Sequence, residues 1–540
     1  VVGYDIGVSA DKSVSILWAT GDEETRRKIE EAFDASVDAA VEYLEEHACR
    51  VRKGAGGVHQ ARGEGLVIGV FHHTTARPTQ EGVPGDPHLH AHLVVANITR
   101  GPDGKLQALH SPELFAHYRT AGAIQEAVLR QRLREELGIE WTPVDEKGLS
   151  KVVGVPEDLR QHFSSRRHEI VSEAYAHGAD LDDPDSMRVA SLATRKEKEG
   201  GYTEAELLEH YQEEIRALGY EPNQLLENAR LEAQKLRERE AEESFLVGMA
   251  AAAAGESVLQ KGTDVWLARR LSAHQASFTR RDVMRAIAEH AEAFGVSTTQ
   301  EIEARADAFL VSEHAVSLTG LEDYRDAIYE RFEALTGDAE KAEKLTAKLI
   351  GREEQPEGPF TVPTDQEPRY TTPLNLKAER RVMDAVFAKD PNLRTASEAD
   401  VETVLDWRER AGQKLGEDQE QMVRAATTGD DVFVPIQGQA GAGKGFALAV
   451  CNDAWRRAGL IPIGCSTAAV AAKRLEEDTG IPSTTIASLL TKLEEGGAQF
   501  NRNHVLVIDE IGMVSNMDLA RLITHARRAG VRIVGVGDYM

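Results

Sequence analysis

Three histidines alternate with apolar residues in Asp86-Pro87-His88-Leu89-His90-Ala91-His92-Leu93-Val94-Val95-Ala96-Asn97. Alternation of this kind is a β-strand signal. Period two sends His88, His90 and His92 to one face and Leu89, Ala91 and Leu93 to the other. Imidazoles that share a face are suited to holding a divalent cation. A second apolar stretch, Leu66–His73, ends in a histidine pair, so His73 can face the first strand across a sheet. That makes four candidate ligands, His73, His88, His90 and His92, for a site that needs three. Three imidazoles leave coordination positions open for a phosphate oxygen, which the metal polarises as a Lewis acid. Asp5, in a separate strand-like segment, is the candidate base or ligand orienter.

A second chemistry is written near the other end. Gly438-Gln439-Ala440-Gly441-Ala442-Gly443-Lys444-Gly445 follows the strand-like Asp431–Gln437 and precedes the helical Phe446–Ala458. Strand, Gly-rich loop and helix make a phosphate cradle: glycines let backbone N–H groups wrap the phosphates, and Lys444 reaches the β/γ-phosphates. Gly438, Gly441, Gly443, Lys444 and Gly445 are the nucleotide-binding candidates. In Val505-Leu506-Val507-Ile508-Asp509-Glu510, four apolar residues make a buried parallel strand with two acids at its C-terminal end. Asp509 is the candidate Mg²⁺ ligand, and Glu510 the group that activates the attacking water. Gly445 stands where a Ser or Thr hydroxyl ordinarily binds Mg²⁺, leaving Asp509 and waters to hold the metal alone.

Other segments must position these groups. Val1–Ser9 reads as a strand, Ser13–Ala19 as a strand or a helix start, and Glu23–Ala48 as an amphipathic helix. Thr74–Pro87 is a Pro- and Gly-rich loop, and Tyr118–Leu137 is a helix. This order predicts an α+β domain, helices on an antiparallel sheet, over 1–205. A helical region follows over 206–400, in which Thr279 can cap a helix Arg280–Phe294 and Gly351–Pro368 reads as a linker. An α/β P-loop lobe occupies 401–540.

The 540 residues suffice for about three or four domains. Val1 is not a methionine, and Met540 directly follows a strand-like run, so both ends read as cut. Cys49, Cys451 and Cys465 offer neither a disulfide framework nor a zinc-ribbon spacing, which suits a reducing cytoplasm. No apolar run is long enough for a bilayer, and no signal peptide opens the chain. The net charge of −27 argues against bulk attraction to nucleic acid. Much of the acid lies in helical surface runs such as Glu238–Glu243, so a local basic groove is compatible with it.

Gly3-Tyr4-Asp5-Ile6-Gly7-Val8-Ser9-Ala10-Asp11-Lys12-Ser13-Val14-Ser15, His72-His73-Thr74-Thr75-Ala76-Arg77 and Pro87-His88-Leu89-His90-Ala91-His92 resemble three signature segments of the MobF family of conjugative relaxases. These are HUH endonucleases. The resemblance implies His73, His90 and His92 as ligands of Mg²⁺ or Mn²⁺, with Zn²⁺ as an alternative ion. It implies Asp5 behind them, and attack by a tyrosine on a DNA phosphodiester. His88 stands where the family has Gln. The family's attacking tyrosines precede the strand of Asp5, so the expectation is a chain that keeps the metal site and lacks the nucleophile. Arg77, Lys196 and Lys198 become candidate phosphate contacts.

The later motifs resemble a RecD-like superfamily 1B helicase. Leu415-Gly416-Glu417-Asp418-Gln419 is similar to its adenine-reading motif, with Gln419 as reader. Ser466-Thr467-Ala468-Ala469 is similar to a segment contacting single-stranded DNA, with Thr467 as the contact. Asp509-Glu510-Ile511-Gly512-Met513-Val514 and Val536-Gly537-Asp538 are similar to further motifs, and the expectation is a stretch that lacks the second motor lobe. The implied whole is a relaxase–helicase that nicks one strand at an origin of transfer and unwinds the duplex with ATP and Mg²⁺. Its implied partners are single-stranded and nicked DNA, a type IV secretion coupling protein and accessory relaxosome proteins. The rival readings are a rolling-circle replication initiator, a DNA-binding remnant without catalysis, and a repair helicase with a metal-binding N-terminal domain.

Overall fold

The computed structural model describes residues 2–53, 59–145, 148–177, 184–196, 201–254, 258–273, 275–318, 361–363, 368–439 and 441–538. They divide into two compact units. One is built mainly from residues 1–267 and 279–313, the other mainly from 370–540.

In the first unit the histidine strand, Pro87–Ala96, is the centre of a three-stranded antiparallel sheet. Gly3–Ser9 pairs on one side and Ile68–Thr75 on the other. Leu89, Ala91, Leu93 and Val95 are buried, while His88, His90 and His92 alternate with them on the more open face. The buried face is roofed by helices, Lys12–Thr20, Glu23–Ala48 and Ser111–Leu137. Each fully buried aliphatic side chain contributes roughly 1.5–3 kcal/mol to this packing.

Ser13–Ala19 resolves as part of a helix, capped by Asp11, whose carboxylate accepts from the Ser13 N–H at 2.8 Å. A short apolar run carries no periodicity that separates strand from buried helix, and tertiary packing decided it. The long helix keeps its expected bounds because Asp22 caps it, accepting from the Thr25 N–H at 2.8 Å. Thr279 stands at the N-cap, as the sequence suggested, and Asp282 accepts from its N–H at 2.9 Å. The helix expected over Arg280–Phe294 is instead two, Arg280–Glu289 and Ala291–Phe294. The break falls at His290, whose ring packs edge-on against Trp266 at 4.5 Å. The expected linker 351–368 lies largely outside the described residues.

In the second unit five parallel strands run in the order Phe433–Gly438, Arg532–Asp538, His504–Ile508, Ile461–Ser466, Ser483–Thr485. Val505, Leu506, Val507 and Ile508 are all fully buried, since helices cover both faces. The strand before the Gly-rich loop is separated from the Asp509 strand by Arg532–Asp538. The fold class is therefore the one expected: an antiparallel α+β unit, many helices, and a P-loop type α/β unit.

Candidate functional site

Sheet register assembles the first site. His73 pairs with His90, and His90 with Ser9; Phe71 pairs with His92, and His92 with Gly7; Asp5 pairs with Val94. His73, His90 and His92 thus share one patch of the open face. Their ring centroids lie 5.2, 5.5 and 5.4 Å apart, a near-equilateral triangle. Metal–nitrogen bonds of about 2.0–2.1 Å would put a cation roughly 3.2 Å from each centroid. The triangle's centre is roughly 3.1 Å from each, so the ring positions fit a three-histidine cation site.

The ring nitrogens converge less closely than the rings. Among the described residues, three ligand atoms lie within 4.8 Å of one another only at Glu46, His47 and Glu303. There His47 Nε2 bonds Glu303 at 2.8 Å and Arg280 also approaches Glu303, so that group reads as an ion-pair network. Closing the triangle on a cation requires the imidazoles to turn about Cβ–Cγ. The ring positions are set by backbone register, whereas the ring angles are soft.

The outer hydrogen bonds settle which nitrogen faces inward. His90 Nδ1 lies 2.9 Å from the His88 carbonyl oxygen, which can only accept, so Nδ1 carries the proton and Nε2 is the unprotonated, ligand-type nitrogen. His92 Nδ1 lies 2.8 and 3.0 Å from the two Asp5 oxygens. An ionised Asp5 can only accept, so it too orients Nε2 toward the site. His88 lies on the same face but stacks on the far part of the patch, 4.7 Å from the His90 ring. Burial, with Lys12 and His90 nearby, lowers its pKa to about 3, so it is neutral. It does not line the cavity that the other three share.

That cavity, of about 570 Å³, is lined by Asp5, Phe71, His73, His90 and His92, and by Arg77, Arg166 and Arg195. Three guanidiniums thus face one carboxylate. Burial, with Arg195 and Arg166 close by, lowers the Arg77 pKa from its ordinary value. Arg166 is anchored, donating to Glu169 at 2.6 Å and to the Thr194 carbonyl at 2.8 Å. Lys196 lies just outside, bonding the Thr79 carbonyl and pairing with Glu169 at 3.6 Å.

The histidine strand is held from its other end. Lys12 donates to the Pro87 carbonyl at 2.6 Å, and burial lowers its pKa to about 8. Asp86 accepts from the Ser165 N–H at 2.8 Å. Ser15 Oγ accepts from the Leu89 N–H at 3.1 Å. Lys12, Ser15 and Asp86 therefore position the site.

The second site sits at the C-terminal ends of the parallel strands. Gly441 and Gly443 adopt positive φ, 78° and 76°, and Gly443 precedes the helix Lys444–Arg457. Lys444 Nζ donates back to the Gly438 and Gln439 carbonyls at 3.1 and 2.9 Å. Gln419 donates to the Ala442 carbonyl at 3.1 Å, which places it against the Gly-rich loop. A second cavity of about 570 Å³ is lined by Gly441, Lys444, Gly445, Arg474, Asp478, Asp509 and Glu510 among others. Glu510 has φ 52°, the one positive value outside glycine among the described residues. Backbone strain of that kind gathers at functional sites. A Cβ on Gly445 would stand in ordinary contact with Asp478, 3.5 Å from its Cβ and 3.7 Å from a carboxylate oxygen.

Comparison with known proteins gives the same two parts. A family described as TrwC relaxase matches residues 1–218, and one described as AAA domain matches residues 414–540. The two matches support a MobF-type relaxase region joined to an AAA domain. The chain is similar to the multifunctional conjugation protein TraI of Escherichia coli, 34% identical over 205 residues, 36% of this chain and 11% of that protein. It is also similar to a probable conjugal transfer protein TraA of Sinorhizobium fredii (strain NBRC 101917 / NGR234), 36% identical over 110 residues, 20% of this chain and 10% of that one. The matched stretches thus span about a tenth of those relatives' length. Among solved structures, the conjugative relaxase TrwC in complex with mutant OriT DNA is 28% identical, with a TM-score of 0.36, over 41% of this chain and 75% of that chain.

The relaxase unit brings together Asp5, His73, His90, His92 and Arg77 from the sequence reading, with Lys196 at the margin. Lys198 lies outside the described residues. The second unit gathers Gln419, Gly441, Gly443, Lys444, Gly445, Asp509 and Glu510 around one loop, and Gly438 ends the strand that feeds it. Thr467 is exposed just past the strand Ile461–Ser466, at the same edge of the sheet. Arg166 and Arg195 escaped the sequence reading as site residues. Single arginines in polar segments carry no signal that separates them from solvated surface charge.

Proposed function

We propose that the first site holds a divalent cation on His73, His90 and His92 and uses it to polarise a DNA phosphodiester for attack by a tyrosine hydroxyl. The observation that carries this reading is the histidine triangle facing three arginines in one cavity. The bound cation would supply Lewis-acid charge to a phosphate oxygen. The chain's own part is to orient and to neutralise. Asp5 holds the His92 tautomer, and Arg77, Arg166 and Arg195 offset phosphate charge as it develops. The AAA unit binds ATP with Mg²⁺ through Lys444 and Asp509, with Glu510 activating water, to drive unwinding. We place the relaxase domain over 1–205, the helical region over 206–400 and the motor lobe over 401–540. The whole protein acts at an origin of transfer in conjugation, with a type IV coupling protein and relaxosome proteins as partners.

The gene product bearing this chain should cleave a single-stranded oligonucleotide with Mg²⁺ or Mn²⁺ and keep a covalent 5′ adduct. His90→Ala and His92→Ala should abolish both. Absence of cleavage by the protein with both histidines intact overturns the relaxase reading. Separately, Lys444→Ala should lower ATP affinity, and equal nucleotide binding by the variant would remove the motor assignment.

A further inference from the structure

One large aromatic next to the histidines has no ring partner among the described contacts. Phe71 lies on the open face, two residues from His73 and directly across from His92. It is 55% exposed, and Val94, beside it on the central strand, is 41% exposed. Exposure of this kind is unusual for a Phe in a strand whose other face is a core. Its posture has a cause in the sequence. A Cβ on Gly69 would meet Phe71 Cε2 at 3.0 Å, so the ring lies down over Gly69. On the third strand Gly7, opposite His92, has open space where a side chain would stand. Gly7 beside His92 and Gly69 beside Val94 thus keep the sheet low on either side of the central strand and leave a low surface around Phe71 and Val94. Phe71 and Val94 line the cavity that contains the histidines and the arginines.

We propose that Phe71, with Val94 beside it, is a stacking shelf for one unpaired nucleotide base adjacent to the phosphate held by the histidine–arginine pocket. The inference rests on the DNA reading above and names the side chains that would hold a base of the unpaired strand. The occupant follows from continuity with that pocket. A backbone phosphate seated among Arg77, Arg166 and Arg195 carries its neighbouring base onto the same sheet face. In a duplex that base is already stacked and cannot lie on a protein ring, whereas in a single strand its face is free. Stacking of this sort is tolerant of base identity, because every base has a π-face.

The test separates base from phosphate. The full chain is titrated with a fluorescent oligothymidylate of about 12 nucleotides, and with an abasic oligomer of the same length. Phe71→Ala should weaken oligothymidylate binding about tenfold and leave the abasic oligomer unchanged, while Phe71→Trp retains wild-type affinity. Gly69→Ala, which tilts the ring, should weaken only the base-bearing oligomer. Arg195→Ala should weaken both oligomers alike. Equal losses on both oligomers for Phe71→Ala, or no loss on either, overturn the shelf and leave the phosphate site standing. If the wild type binds neither oligomer, the DNA reading falls and the shelf with it.

Discussion

Removing the carboxylate behind His92 should weaken metal binding without loosening the fold. Asp5 accepts from His92 Nδ1 at 2.8 and 3.0 Å, a charge-assisted contact. The two side chains are 60% and 39% exposed, so as an ion pair they contribute only about 0–1 kcal/mol to folding. Loss of a group that orients a metal-bound histidine typically costs about 10–100-fold in metal affinity, or roughly 1.4–2.7 kcal/mol. Asp5→Ala should therefore lower Mn²⁺ affinity by about that factor, with the melting temperature nearly unmoved. Calorimetric titration of Mn²⁺ without nucleotide reads the first quantity, and thermal melting the second. Because Asp5 acts through His92, the two losses should not add: in a His92→Ala background, Asp5→Ala should have little further effect. Equal Mn²⁺ affinity in Asp5→Ala and wild type, or fully additive losses in the double variant, would refute the orienting role.

Three more expectations are open to measurement. Gly445→Thr should fit, since its Cβ would meet Asp478 at an ordinary 3.5 Å, and the added hydroxyl should increase the Mg²⁺-dependent part of nucleotide affinity about 3–10-fold; a labelled ATP analogue titrated with and without Mg²⁺ shows whether it does. Arg195→Ala should reduce the slope of log affinity against log salt by about 0.7 for a single strand, the share of one phosphate contact, and an unchanged slope places Arg195 off the DNA path. Burial raises the pKa of Glu126 to about 7, only partly opposed by Arg130. A raised folded pKa means the folded state holds the proton more tightly, so this contribution is full below about pH 4.5 and lost as pH rises through about 7. Glu126→Gln should therefore stabilise the chain by on the order of 2–3 kcal/mol at pH 8 and flatten the decline between pH 4.5 and 7, as chemical denaturation at several pH values would show.

Strand periodicity made the histidine face legible, because period two leaves no choice about which residues share a side. The P-loop was legible for a similar reason: glycine, lysine and their spacing stay local in sequence. Partnerships set by register were not legible in that way. Nothing in the spacing of Asp5 and His92 says that they meet, since the meeting depends on how two distant strands slide past each other. His88 shows the same limit from the other side. It obeys the period, yet it lies at the strand's start, half-buried near Lys12. Arg166 and Arg195 read as ordinary solvated charges, and only the packing of the helices Ser165–Ala176 and Pro184–Ala193 brings them to the histidines.

The overall charge of −27 is a poor guide to what this chain binds, and the structure shows why. Charges farther apart than about 8 Å are largely screened at physiological salt. Many surface acids are already engaged with neighbouring cations, as in Glu157 with Arg160, Glu420 with Arg424 and Glu494 with Arg521. A phosphate at the histidine triangle would meet a different surface, lined by Arg77, Arg195 and Arg166, the last already paired with Glu169, against the single lining carboxylate of Asp5. Asp5 is in turn occupied with His92. If the proposed cation occupies the triangle, two more positive charges join that wall. The field a bound strand feels is then set by a handful of groups within one screening length. An acidic protein can carry a cationic seat for one phosphate as long as its acids are spent on their own partners and kept out of that cavity.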